Sequence, residues 1–496
     1  MKKKKKRLLA MLVLLVSIQF PAVTINGAVA TPIAEEKTVI DLGDQAVYDT
    51  TDGNTDVSWP VGPDEKTLTS DSAILMDADT GLILYNKNMT KKHYPASITK
   101  ILTTLLCVEN SSPEEVVTFT ADEVTNLEYG ASNIGTKIGE KLTMDQCLYG
   151  IMLSSANEVC LGVADHIAGS VEAFAEMMNN RARELGCVNS HFVNPNGLHD
   201  DDHYTCAYDM ALIGKEALKN ETFRKVAGTK VTYLDKTNKS KERTLVNHHN
   251  MLYAYSTSDY LNPECIGGKT GYTSVAQSTL VTFAQRDDMT LICVVMQGQS
   301  SKTNPSHNIY TDTQSLLNYG FDQYQVYSLE DSGDEQTEQE DSPFFTEFAS
   351  ILDKEQSPLQ TSSSGKVVLP TGVKLKQAVQ SVTFLDGQDG EVEENQIGSV
   401  SYTYGNKTVG STKIYYDPTA GVSELTTEDD LTYTNSTSVV GESKASVIRI
   451  RRIAIGVCGV ILFVILVIAI IRWRQNAHLR KHRYSTPPNR YRDEDL

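Results

Sequence analysis

The sequence predicts a mixed α/β (α+β) domain over residues 67–325, a small all-β domain over residues 364–420 and one C-terminal transmembrane helix. Three observations carry this. Between Leu68 and about Tyr324, apolar residues at helical spacing alternate with short strand-like runs bounded by turn residues. From Lys366 to about Tyr416 the pattern changes to period two, with Asp389-Gly390 and Gly405-Asn406 as turns. Ile453–Ile471 is an unbroken run of 19 residues without Asp, Glu, Lys or Arg, long enough to cross a bilayer.

In chain order, five Lys and Arg7 precede the apolar run Leu8–Val16, and Ala28-Val29-Ala30 follows as a small-residue cleavage site. Residues 1–30 are therefore expected to be a signal peptide, and the acidic, aperiodic residues 31–66 a spacer. Ser72–Asp77 and Leu82–Tyr85 form a hairpin about Asp79-Thr80-Gly81. Ala96–Glu109 is predicted as one helix, since Pro95 opens it and Ile98, Ile101, Leu102, Leu105 and Leu106 line one face. Met144–Leu153, Ala156–Ile167 and Val171–Leu185 form a helical cluster, the last between Ser170 and Gly186. Leu280–Ala284 and Thr290–Met296 are strands joined at Arg286-Asp287-Asp288, continuing a sheet that begins near Lys269. Residues 326–363 form an acidic, then Ser-rich linker with one short helix at Phe344–Leu352. Residues 421–447 form a polar stalk, 452–471 the span, and 472–496 a basic tail.

Charge places the chain relative to the membrane. Removing the +6 of residues 1–7 and the +7 of residues 447–496 from the overall −18 leaves the middle near −31. That argues against nucleic acid or anionic lipid as partners of the globular part. Seven Lys or Arg follow the span and three precede it, so the tail is expected in the cytoplasm and the bulk of the chain outside, tethered to the cell membrane. Seven cysteines lie outside the span, an odd number with no C-x-x-C, and are expected to be mostly buried free thiols.

Three short motifs carry chemistry. Ser97-Ile98-Thr99-Lys100 puts a hydroxyl and an amine on one helical face, where a lysine with a lowered pKa takes the serine proton. Ser155-Ala156-Asn157 adds a hydroxyl and an amide at a helix junction, although Ser and Asn there also serve as plain helix caps. Lys269-Thr270-Gly271-Tyr272 offers a strand-borne cation for a carboxylate, a hydroxyl, and a glycine for close approach. Ser363–Lys366 repeats the first pattern and Ser306-His307-Asn308 the second, but only the 97/155/269 set falls within one domain. His199-Asp200-Asp201-Asp202-His203 has metal-ligand residue types without a second cluster to complete a site, and Asp77–Gly81 lacks the later Glu of a Ca²⁺ loop. No metal and no cofactor is expected.

With these motifs, Ala73–Tyr85, Tyr94–Lys100, Ser170–Gly186, Phe192–Leu198, Tyr208–Ala211 and Gly268–Thr273 resemble the serine-type D-alanyl-D-alanine carboxypeptidases, the low-molecular-mass penicillin-binding proteins. The resemblance covers roughly residues 68–324 and implies a serine β-lactamase/transpeptidase-like fold. It implies Ser97 as the acylated nucleophile and Lys100 as its base, with Ser155 and Asn157 assisting proton transfer and holding the peptide. Lys269 and Thr270 would bind the terminal carboxylate, and the N–H groups of Ser97 and Tyr272 would form an oxyanion hole. The implied substrate is a peptidoglycan stem peptide ending in D-Ala-D-Ala, with β-lactams as covalent inhibitors. Glu158 stands where the family usually has Asp, and Cys206 where it has a small residue; neither is expected to alter the chemistry.

Two rivals remain open at this level. A serine β-lactamase shares the motifs but needs rapid deacylation, and no Glu-x-x-x-Asn occurs around residues 185–200. A β-lactam or muropeptide sensor would signal through the span, yet only 25 residues follow it.

Overall fold

In the computed structural model the described residues are 57–125, 127–299, 307–329, 359–362, 364–385 and 394–416. The signal segment, the short helix at 344–352, the Asp389-Gly390 turn, Ser306, Ser363, the stalk and the apolar run 453–471 lie outside them.

β1 (Ser70–Asp77) and β2 (Ile83–Lys87) form the first hairpin. Asp77 Oδ1 closes it by accepting from the N–H and the hydroxyl of Thr80, both at 2.7 Å, so this carboxylate serves a turn. A 3₁₀ turn, Ala96–Thr99, then runs into α1 (Lys100–Asn110). The single helix expected from Ala96 is thus two elements. Pro95 precedes the turn and Ala96 adopts a left-handed backbone, φ 50°, so no helix can extend back beyond Ser97.

β3 (Val116–Thr118), α2 (Ala121–Thr125) and β4 (Lys141–Thr143) lead into the helical layer, with β3 and β4 paired. That layer comprises α3 (Met144–Leu153), α4 (Asn157–Ala168), α5 (Val171–Glu184), α6 (Ala207–Ala217) and α7 (Glu221–Ala227). Thr143 and Gln146 make a reciprocal capping box at the start of α3, and the Ser170 hydroxyl caps α5 through the Ala173 N–H. After the hairpin of β5 (Val231–Leu234) and β6 (Arg243–Val246) come β7 (Cys265–Thr273), β8 (Gln277–Arg286), β9 (Met289–Gly298) and α8 (His307–Gln323).

The five-stranded antiparallel sheet runs β2-β1-β9-β8-β7, so β7 is an edge strand. Both faces are buried. Ile74, Met76, Val281, Phe283, Ile292, Val294 and Met296 pack against the helical layer. The alternate residues, among them Ala73, Leu75, Leu291, Cys293 and Val295, pack against α8. Two-sided burial explains why Leu291–Met296 is apolar without interruption.

The second sheet contains β10 (Tyr324–Ser328), β11 (Leu359–Thr361), β12 (Lys366–Pro370), β13 (Val379–Phe384), β14 (Gln396–Tyr404) and β15 (Lys407–Tyr416). Its order is β10-β12-β15-β14-β13, with β11 also paired to β15. β10 begins within the stretch assigned from sequence to the first domain and continues into the assigned linker. It follows α8 without a break and pairs with β12 along its whole length.

Candidate active site

The 3₁₀ turn and the head of α1 set the first pair. In a 3₁₀ turn residues i and i+3 eclipse one another, which stacks Ser97 and Lys100. Lys100 Nζ lies 3.0 Å from Ser97 Oγ and 2.9 Å from Asn157 Oδ1, and it also bonds the Asn196 main-chain carbonyl. A neutral amine has two N–H bonds and one lone pair. With both N–H bonds directed at the carbonyl oxygens of Asn157 and Asn196, the lone pair faces the Ser97 hydroxyl, which then donates. Burial pushes Lys100 down to about 8, against weaker upward pulls from Cys160 and Glu158. A fraction of the amine is therefore unprotonated near neutrality.

Neither side chain of the second motif caps α4: the N-cap is Ala156, without a side-chain bond. Asn157 instead faces two ways. Its Nδ2 donates to Ser132 O at 2.9 Å, which fixes the amide with Oδ1 towards Lys100. Ser155 sits in the turn between α3 and α4 with φ 57°, a strained backbone for a residue with a Cβ. Ser155 and Asn157 are both buried.

β7 brings in the third motif from the sheet edge. A Cβ at Gly271 would fall 2.3 Å from Thr279 Oγ1, 2.9 Å from Ser97 N and 3.0 Å from Pro95 O. Only glycine lets β7 pass this close to the nucleophile turn. The Thr279 hydroxyl also donates to Pro95 O at 2.8 Å, tying β8 to the same turn. Lys269 is buried, and its Nζ donates to Thr270 O at 2.9 Å. Burial, then the like charge of Lys100, pushes Lys269 down to about 7. Tyr272 is about half exposed at the rim. All three motifs thus meet at one cleft, each on a different element.

Two residues near the site escaped the sequence motifs. The Asn196 carbonyl comes from the 194–198 loop, pinned to α1 by the Thr103 hydroxyl on Pro195 O at 2.6 Å. Gly197, at φ 78°, lets this loop lie on the nucleophile turn, since a Cβ there would meet Ala96 O at 1.9 Å. A main-chain acceptor leaves no side-chain signature, although Phe192–Leu198 was among the stretches carrying the resemblance. The second is His248. Burial and the Lys269 charge push its imidazole down to about 4, its main-chain N–H donates to Leu153 O at 3.3 Å, and its ring packs on Tyr255 with centroids 4.2 Å apart. A lone His in a polar run gave no signal of this.

His203, in the segment with metal-ligand residue types, holds the turn instead. Burial pushes it down to about 3, so the ring is neutral. Its Nδ1 accepts from the Val193 N–H at 3.2 Å, which leaves Nε2 to donate to Thr99 Oγ1 at 2.9 Å. His199 packs on the Tyr94 ring. The seven cysteines outside the apolar run are all buried free thiols.

The chain is similar to several known proteins. Residues 60–300 match the model of the D-alanyl-D-alanine carboxypeptidase family. The D-alanyl-D-alanine carboxypeptidase DacF of Bacillus subtilis (strain 168) is 37% identical over 262 residues, which are 52% of this chain and 64% of that protein. The chain thus spans just under two thirds of that relative. The D-alanyl-D-alanine carboxypeptidase DacC of Escherichia coli (strain K12) is 28% identical over 351 residues, 68% of this chain and 80% of that protein. The crystal structure of penicillin binding protein 5 from Haemophilus influenzae superposes with a TM-score of 0.55 at 22% identity, covering 72% of this chain and 98% of that one. At that identity the likeness speaks for the fold, including the second sheet.

Proposed function

We propose that the protein is a serine-type D-Ala-D-Ala carboxypeptidase that trims peptidoglycan stem peptides through an acyl-enzyme. The observation that carries this is the Lys100 amine, 3.0 Å from Ser97 Oγ, with Asn157 and Asn196 occupying its other directions. Lys100 takes the Ser97 proton as Oγ attacks the carbonyl of the penultimate D-Ala. The Ser97 and Tyr272 N–H groups stabilise the developing oxyanion, and Lys269 with Thr270 receives the terminal carboxylate. The C–N bond then breaks, the departing D-Ala nitrogen takes the proton back by way of Lys100 and Ser155, and water activated by Lys100 hydrolyses the ester.

β-Lactams, whose strained amide occupies the same position, acylate the same serine. Mass spectrometry after penicillin treatment is expected to find one adduct on the protein and none on Ser97→Ala. D-Ala release from a D-Ala-D-Ala peptide is expected to vanish in the same variant. Release that persists without Ser97 would end the assignment.

The protein works outside the cell, held to the cell membrane by residues 452–471 with residues 472–496 in the cytoplasm. What supports this is the sequence: a signal segment at 1–30, 19 apolar residues, and the basic excess that follows them. On fractionation the full chain is expected with the membranes and a chain ending at residue 445 in the soluble fraction. Full-length protein in the soluble fraction would overturn the tether.

A further inference from the structure

Asn157 points the right way only because Ser132 holds it there, so what holds Ser132 matters to the chemistry. Both the main-chain N–H and the Nδ2 of Asn157 donate to Ser132 O, each at 2.9 Å. Ser132 is exposed and lies in a stretch, 131–135, without regular secondary structure. Two side chains, one buried and one partly buried, grip that stretch just beyond Ser132. Glu158, 1% exposed and next to Asn157 in the first turn of α4, accepts through Oε1 from the Ile134 N–H at 2.8 Å and from the Thr136 hydroxyl at 3.1 Å. Arg243, paired with the fully buried Glu140, donates to Ile134 O at 3.0 Å. The Ile134 residue is thereby fixed at both its N–H and its carbonyl, two residues from the oxygen that orients Asn157.

We infer that Glu158 is a positioning residue for acyl transfer: its carboxylate anchors residues 132–136, so that Ser132 O locks the Asn157 amide with Oδ1 on Lys100. The path runs Glu158, Ile134 and Thr136, Ser132, Asn157, Lys100, and every step in it is a hydrogen bond or one or two residues of chain. The glutamate side chain has the length to reach the Ile134 N–H. An aspartate at this position is one methylene shorter, and the loop would have to follow it inwards.

Glu158 also acts on Lys100 through charge. The titratable groups that face Lys100 are Glu158 and Cys160 from α4, Lys269 from β7 and the neutral His203 from the 199–205 segment. Among them Glu158 is a carboxylate and favours the ammonium form. Removing its charge therefore lowers the pH at which Lys100 becomes a base.

The inference rests on the acyl transfer proposed above, and the test separates the two. The rate constant for acylation of the full-length protein by a fluorescent penicillin is measured against pH for wild type, Glu158→Ala, Glu158→Gln, Asn157→Ala and the Glu158→Ala/Asn157→Ala double variant. Glu158→Ala is expected to slow acylation by about 10–100-fold with little change in the noncovalent binding constant, because the fault lies in orientation. Glu158→Gln retains an acceptor for Ile134, so it is expected to recover most of that loss while its acid limb moves to lower pH. The double variant is expected to be no slower than Asn157→Ala alone, since Glu158 acts through that amide. Losses that multiply would overturn the inference, as would an acid limb unmoved by Glu158→Gln or a Glu158→Ala rate equal to wild type. Should Glu158→Ala fail to fold, the Gln variant's pH profile decides. A wild type that takes no penicillin would defeat the proposed function instead.

Discussion

The Lys100 amine is fully buried, so folding strips it of water and drives off its proton near pH 8, where the unfolded chain holds it to about 10.5. Between those limits the unfolded state binds more protons than the folded one. The resulting destabilisation is complete below about pH 8 and fades as pH rises towards 10.5. That shift corresponds to roughly 3 kcal/mol, opposed by the bonds to Asn157 and Asn196. Lys100→Met, of similar length and without the charge, is therefore expected to abolish acylation and raise Tm by roughly 2–5 °C at pH 7. The gain is expected to shrink at pH 10. A variant that melts below wild type at pH 7 would mean that the hydrogen bonds of the amine outweigh its burial. Lys269, displaced in the same direction, adds a like-charged neighbour to the same interior. The site keeps two lysines where apolar side chains would be more stable; in the proposed acyl transfer one, as the neutral amine, removes a proton and the other, as the cation, receives a carboxylate.

At the scale of elements, the nucleophile turn depends on contacts far away in sequence. β7 can lie against it only at Gly271, where any Cβ would strike Thr279 Oγ1 and the main chain of residues 95–97. Gly271→Ala is expected to cut acylation about 100-fold by pushing the strand off the turn, with circular dichroism unchanged. Adding Thr279→Ser is not expected to restore it, because Ser97 N and Pro95 O remain in the way. An Ala variant within twofold of wild type would show that β7 need not approach so closely. This dependence also marks what the sequence could reveal. The bounds of α3 and the cap of α5 were legible because local side chains write them: Thr143 with Gln146, and Ser170. The three motifs were legible as residue types in workable order. The break between the 3₁₀ turn and α1 was not, because Thr279 and Gly271, some 170–180 residues downstream, shape it. Nor could the sequence distinguish capping from catalysis at Asn157. The structure shows that Asn157 does not cap α4 and bonds Ser132 O and Lys100 instead, partners that α4 meets only after folding.

For the molecule as a whole, the second sheet shares a core with the first. Leu75, Leu291 and Val295 from the five-stranded sheet, Leu316 and Leu317 from α8, and Val367, Leu369 and Val400 from the second sheet belong to one buried apolar cluster. Polar ties reinforce it. Lys366 bonds Asp79 at 2.7 Å and Asp288 O at 2.8 Å, so a residue of β12 grips two turns of the first sheet. Near the first described residue, Trp59 packs edge-on against Tyr404 with centroids 5.5 Å apart and lies 4.4 Å from Lys407 Nζ. α8 enters β10 without an intervening loop. A continuous core and a direct helix-to-strand passage couple the unfolding of one sheet to the other, because separating them would expose the apolar face of β12 and the side of α8 together. Calorimetry of a 57–416 fragment is expected to give a single transition. Lys366→Ala is expected to lower its midpoint by only a few degrees, since a partly exposed ion pair is worth about 1 kcal/mol or less. Two resolved transitions would instead make the second sheet an independent spacer, and the cleft around Ser97 would then survive its removal.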